Sequence, residues 1–227
     1  MTKFYVVLGV VALIGVGAVG YSTFTGVTSA AATAPVELEG LDDPQRLIEM
    51  AQGVGAGNPE AAVQIWEFAD YQCPACSQFA GQVKPQIDLA YVETGQVQYK
   101  FFDFPLAMHP HAFLAARAAR CAGDQDRYWD YHDTLFQNQN SWAFGNGPAG
   151  AFVDYAGELG LDRGAFATCL NSDAHAEVVT ANMRLGEELR VSGTPTLIVI
   201  KDGGMPVRAA NFSWPAVQEA VQAALAQ

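Results

Sequence analysis

The chain has 227 residues, half of them hydrophobic, enough to bury one core with an attached subdomain. Its formal net charge of -12 excludes an electrostatic fit to nucleic acid, and no Gly-rich phosphate loop follows a strand-like run, so nucleotide chemistry is not indicated either. Four cysteines form an even set, which suits an oxidising compartment if the N-terminus exports the chain.

Met1-Thr2-Lys3 precedes an apolar run, Phe4 to Tyr21, and no charged residue stands between Lys3 and Glu37. The run approaches the roughly twenty residues a bilayer requires, so residues 4–21 are expected to anchor the chain with its N-terminus in the cytoplasm. Small residues from Ser29 to Ala34 leave a cleaved signal peptide as the alternative. Residues 1–34 thus form anchor or signal plus tether, and 35–227 the catalytic domain. Within the latter, Asp42 or Asp43 and Pro44 open a short amphipathic helix that Gly53 ends, and Gly53 to Pro59 forms a turn.

Val63 to Phe68 is rich in β formers with apolar bulk on both faces, as in a strand covered on both sides. It leads into Cys73-Pro74-Ala75-Cys76 at the start of a helical run. There the first sulfur meets unpaired N–H groups and the positive end of the helix dipole, both of which favour a thiolate. Cys73 is therefore the expected nucleophile, accessible and of lowered pKa. Cys76, shielded one turn inside, resolves mixed disulfides formed on Cys73. Pro74 suits the first helical turn. A zinc site would need two further ligands, and none is evident; His109 and His111 flank Pro110 with no carboxylate or thiol at ligand spacing, and no metal or cofactor is expected.

Ser77 to Glu93 is helical with a kink at Pro85, and Val97 to Phe104 is a second strand. From Pro110 to Leu189 the period is helical, with punctuation for four or five helices: Gly123 ends one, Asp124 or Asp126 opens the next, Gly160 and Asp162 divide two more, and Ser172 or Asp173 caps the last. Tyr128, Trp129, Tyr131 and Phe136 supply the core of this block, with His132 packed or hydrogen-bonded among them. Thr196 to Ile200, the turn Asp202-Gly203-Gly204 and Met205 to Ala210 form a hairpin, and a helix over residues 215–226 closes the chain. This order gives an α/β fold, a mixed sheet with helices on both faces.

Cys121 and Cys169 lie on two helices of the block and are expected to pair as a structural disulfide, two separate buried thiols being the alternative. Glu67 shares a strand face with Val63 and Ile65, where burial raises a carboxyl's pKa and suits it to relay a proton for Cys76; pairing with Lys100 or plain solvation is the other reading. Asp70 is a turn or cap residue.

Trp66-Glu67-Phe68-Ala69-Asp70-Tyr71-Gln72-Cys73-Pro74-Ala75-Cys76, Arg120-Cys121 through Trp129-Asp130-Tyr131-His132, and Gly193-Thr194-Pro195-Thr196 together resemble the DsbA family of extracytoplasmic thiol:disulfide oxidoreductases, over about residues 59–227. The resemblance implies a thioredoxin-like sheet built from about 59–108 and 191–227, interrupted by an all-helical insertion over about 109–190. It also implies a cis Thr194–Pro195 peptide packed against the cysteines, with Thr194 and Pro195 binding substrate, and an acidic residue near the buried cysteine at Glu67. The implied activity is oxidation of thiols in unfolded or partly folded exported proteins, with reoxidation by a membrane redox partner. Reduction or isomerisation at the same site is the alternative, and a tethered metal- or substrate-binding module a more distant one. Strong oxidants of the family commonly carry His where this chain has Ala75, which leaves its oxidising power open.

Overall fold

A computed structural model describes residues 31–145 and 147–227; the expected anchor, Phe4 to Tyr21, lies outside them. Among the described residues no helix is long and apolar enough to cross a membrane. The tether expected to reach Ala34 ends sooner. Ala32 N–H donates to Asp173 and its carbonyl accepts from the guanidinium of Arg117, so the chain joins the body from Ala31 onward.

The centre of the sheet is β2 (Val63–Ala69), whose β-branched and aromatic side chains are covered on both faces. It pairs parallel with β3 (Val97–Asp103) and antiparallel with β4 (Thr196–Lys201). β1 (Val54–Ala56) adds to the outer edge of β3, and β5 (Val207–Arg208) to that of β4, giving the order β1-β3-β2-β4-β5. The β1 segment was expected as part of a turn. Three residues with a central glycine carry no strand signal of their own; pairing with Tyr99–Phe101 makes them one.

Alternation along β2 divides the core. Ile65 and Ala69 pack with Tyr99, Phe101, Leu197 and Val199 toward one face, while Phe68 joins Phe102, Phe104 and Ile198 on the other. The second face is covered by α1 (Pro44–Met50), capped by Asp43 as expected, and by the long helix Ala176–Glu188. That helix lies close because of Gly186: a Cβ there would stand 2.5 Å from the Phe104 ring.

The first face carries α2 (Pro74–Gln82), α3 (Lys84–Ile87) and a π-helical turn, Asp88–Val92. The break expected at Pro85 falls at Val83, since a proline removes the hydrogen bond and crowds the carbonyl of the turn before it. The insertion holds six helices among the described residues, more than the four or five expected: α4 (Ala112–Gly123), α5 (Tyr128–Gln137), α6 (Gln139–Trp142), α7 (Ala149–Glu158), α8 (Arg163–Leu170) and α9 (Ala176–Glu188). The extra one, α6, is a single turn that no periodicity could announce. Asp162 caps α8 as expected, but Arg127 and His175, not an aspartate or serine, precede α5 and α9. α10 (Trp214–Leu225) closes the first face through Val217 and Val221.

Candidate active site

β2 ends at Ala69, and a tight turn delivers Cys73 as the N-cap of α2, with Pro74 in the first helical position. Asp70 builds that turn as expected. Its Oδ1 accepts from Gln72 N at 2.6 Å, and its Oδ2 accepts from Leu106 N at 2.8 Å and meets His109 Nδ1 at 2.7 Å. Burial raises its pKa against these bonds. The insertion clamps the same turn: Gln139 Nε2 donates to the carbonyls of Tyr71 and Cys73, and Gln72 donates to Ala143 O while accepting from His111 N. His109 and His111 thus hold separate parts of the loop, the first through its ring on Asp70 and the second through its backbone N–H on Gln72.

Both thiols are free. Cys73 is less open than expected, at 8 % exposure, because the insertion and the proline loop crowd it; Cys76 has none. The Cys73 thiol is lowered to about 5, chiefly by the Cys76 thiol donating to its sulfur, against a burial cost, with help from the Thr194 side chain and the N–H groups of Cys76 and Ala75. No imidazole is involved, so Ala75 does not forfeit a stable thiolate. Burial first, then Cys73 and Glu67, push Cys76 far above its usual value.

The Thr194–Pro195 peptide is cis, and the Thr194 carbonyl lies 3.5 Å from Cys73 Sγ. A carbonyl accepts from the thiol and offers nothing to the thiolate. The Thr194 side chain, whose buried hydroxyl has no hydrogen-bond partner, adds to the Cys76 thiol in favouring the ionised sulfur. Alkylation of the reduced protein should therefore follow Cys73 ionisation, half-maximal near pH 5, with Cys76 untouched at neutral pH. Equal labelling of both sulfurs in mild acid would show that the site does not distinguish them.

Glu67 is 1 % exposed and accepts a hydrogen bond from Tyr99 Oη. Burial raises it to about 7, with the Tyr99 bond and the Lys84 charge pulling the other way. Lys100, the partner in the alternative reading of Glu67, is in register with Trp66. Lys84 lies 5.0 Å from the Tyr99 ring centre and 2.6 Å from Asp88, and both line a cavity of about 400 Å³ with Ser77, Asp133 and Asn140. Neither Tyr99 nor Lys84 was singled out from sequence. Tyr99 reads there only as one more apolar β former, and Lys84 as an exposed helical residue.

Away from this centre, Cys121 and Cys169 are joined by a disulfide that ties α4 to α8. His132 is wholly buried among Tyr71, Phe101 and Phe136, and desolvation lowers its pKa.

Residues 50–223 match the family model described as Thioredoxin. The chain is 28 % identical over 170 residues to a "Putative protein-disulfide oxidoreductase" of Rickettsia typhi, covering 74 % of this chain and 60 % of that one. It is also 32 % identical over 162 residues to Na(+)/H(+) antiporter NhaA 3 of Salinispora tropica, covering 71 % of this chain and 24 % of the antiporter. The chain therefore spans from a quarter to three fifths of the length of these relatives. Among solved structures, oxidised BdbD from Bacillus subtilis superposes with a TM-score of 0.68 at 24 % identity, over 88 % of this chain and all of that one. That superposition shows a shared fold, and the match over residues 50–223 establishes that the chain belongs to the thioredoxin family.

Proposed function

We infer that this protein is a thiol:disulfide oxidoreductase of the DsbA type that oxidises cysteine pairs in exported proteins. The observation that carries the reading is the divided pair of thiols: Cys73 lowered to about 5 beside Cys76 raised well above 9. In the forward reaction a substrate thiolate attacks Cys73 of the Cys73–Cys76 disulfide, and Cys76 leaves and takes up a proton. The substrate's second thiolate then attacks its own sulfur in the mixed disulfide, and Cys73 departs as a stable thiolate, carrying two electrons away from the substrate.

Glu67, with a pKa near neutrality, supplies and removes the Cys76 proton. Thr194, beside cis Pro195, offers its backbone to an extended substrate strand. Pro74 and Ala75 complete the motif, and the Cys121–Cys169 disulfide staples the insertion. Reoxidation requires a disulfide-bearing partner at the membrane. Lys3 followed by the apolar Phe4 to Tyr21 supports an extracytoplasmic domain anchored by its own N-terminus.

Direction follows from the lowered Cys73 pKa, which stabilises the dithiol form and makes that form the preferred product. Equilibrating the purified domain against glutathione buffers should give a potential above about −200 mV, toward the oxidising end of the thioredoxin-fold enzymes. A value near −270 mV would assign it to reduction instead.

A further inference from the structure

Four ligand-type side chains converge at the foot of the insertion, away from the exchange site. Cys121 on α4, Asp124 just beyond that helix, Cys169 near the end of α8 and His175 ahead of α9 bring their donor atoms within 4.8 Å of one another. His175 Nε2 lies 2.8 Å from Asp124 Oδ2, and Cys169 Sγ is 3.5 Å from the same oxygen. While the sulfurs are bonded to each other they carry no charge and make poor ligands.

We propose that reduction of Cys121–Cys169 converts this cluster into a four-ligand site for a thiophilic divalent cation of the zinc class. A dithiol reductant supplies two electrons and two protons; the S–S bond breaks to two thiols and the reductant closes to its own disulfide. Binding the cation then releases both protons, leaving two thiolates, one carboxylate and one neutral imidazole around it. This set has a net charge of −1 with the metal, and it is the mixed sulfur, nitrogen and oxygen environment that zinc accepts in tetrahedral sites.

Bond lengths of about 2.0 to 2.3 Å at tetrahedral angles place donor atoms roughly 3.3 to 3.8 Å apart. The Cys169–Asp124 separation already falls in that range. The His175–Asp124 contact must open by about half an ångström, and the two sulfurs must part while their Cα atoms start 5.8 Å apart. His175 has a φ of 64°, a left-handed conformation unusual for a residue with a Cβ, and there its ring meets Asp124 across 51 residues of sequence.

The disulfide is not the only fastening between these segments. Arg117, one turn before Cys121 on α4, has a buried side chain that donates to the carbonyls of Ala32, Leu170, Ser172 and Ala174. The stretch carrying Cys169 and His175 thus stays fastened to α4 when the sulfurs separate. Asp124 is half exposed, which gives a cation a way in.

The site is independent of the exchange reading, and its test removes the other dithiol. A Cys73→Ser/Cys76→Ser chain, reduced with a water-soluble phosphine and freed of it without air, is titrated with cobalt(II). One equivalent should bind, with thiolate-to-cobalt charge-transfer absorption and the visible bands of tetrahedral cobalt, and zinc should displace it; the oxidised chain should give neither signal. His175→Ala should weaken cobalt binding at least ten-fold and alter the visible bands. A reduced chain that binds no stoichiometric cobalt, or binds it equally well after His175→Ala, overturns the proposal. Circular dichroism gives a second reading, since zinc should preserve or restore the helical signal of the reduced chain. Unfolding on reduction regardless of zinc also overturns it.

Discussion

Cys76→Ser should turn the protein into a trap that stays covalently joined, through Cys73, to whatever disulfide it attacks. Cys73 remains an N-cap sulfur beside Thr194, so the first bond still forms. What is lost is the internal nucleophile one turn away. A well-placed intramolecular group acts at an effective concentration far above any external thiol, so release should slow by on the order of 10³-fold or more. Non-reducing gels of protein mixed with a disulfide-bearing substrate should show near-stoichiometric adducts, absent from Cys73→Ser. Rapid clearance of adducts from Cys76→Ser would mean that Cys76 does not resolve them. Glu67→Gln gives a graded version: attack by Cys73 is unchanged, while release at neutral pH falls by about 10²-fold, the usual contribution of a positioned base. Cys76 is too weakly acidic in its buried position to ionise unaided.

The second large effect concerns stability. Arg120 Nε donates to Asp103 Oδ2 at 2.6 Å, Arg120 Nη2 to Gln52 O at 2.7 Å, and Asn182 Nδ2 to the same Asp103 oxygen at 3.2 Å. This buried knot joins the end of β3, the insertion's α4, the α9 helix and the loop ahead of β1. Asp103→Leu should destabilise the domain by about 3 to 5 kcal/mol, because it strands a buried guanidinium with one carbonyl for company. Arg120→Met should cost a similar amount by stranding the carboxylate. The double variant should be no worse than either single one, giving a coupling of at least about 3 kcal/mol, since neither charge is then left alone. Urea denaturation of the four proteins measures this cycle, and single variants within about 1 kcal/mol of the parent would show that the pair is solvated.

What the sequence revealed and what it hid follow a physical division. Cys73, Pro74 and Cys76 were readable because a strand followed at once by a helix is a local pattern. Val63–Phe68 and Val97–Phe104 were readable because burial on both faces leaves nearly continuous apolar runs. Glu67 was readable as a buried acid from its place beside Ile65, but its partner was not. The other reading, a pair with Lys100, fails on register: Lys100 is paired with Trp66, a residue on the opposite face from Glu67, whereas Tyr99 is paired with Ile65 on Glu67's own side. Gln139 and Gln72, which hold the active-site turn, bond across about 70 residues through amides that have no periodicity to betray them. The Cys121, Asp124, Cys169 and His175 cluster is hidden in the same way, since its ligand spacing exists only after α4 and α8 have packed.

The sheet order also sets when reactivity arises during synthesis. A chain emerging from its amino end presents both thiols while 121 residues still separate Cys73 from the threonine it will face. Until β4 docks, Leu197 does not cover its register partner Glu67 on β2, and no Thr194 hydroxyl stands near the sulfur. Both the burial that brings the carboxyl near neutrality and part of the support for the thiolate are therefore acquired last, with the contacts most distant in sequence. A nascent chain carries something closer to an ordinary dithiol, slow to ionise at neutral pH. Any disulfide that an external oxidant forms early on another cysteine of the chain, Cys121 included, therefore meets a less ionised Cys73, which slows a misplaced exchange while the chain is loose.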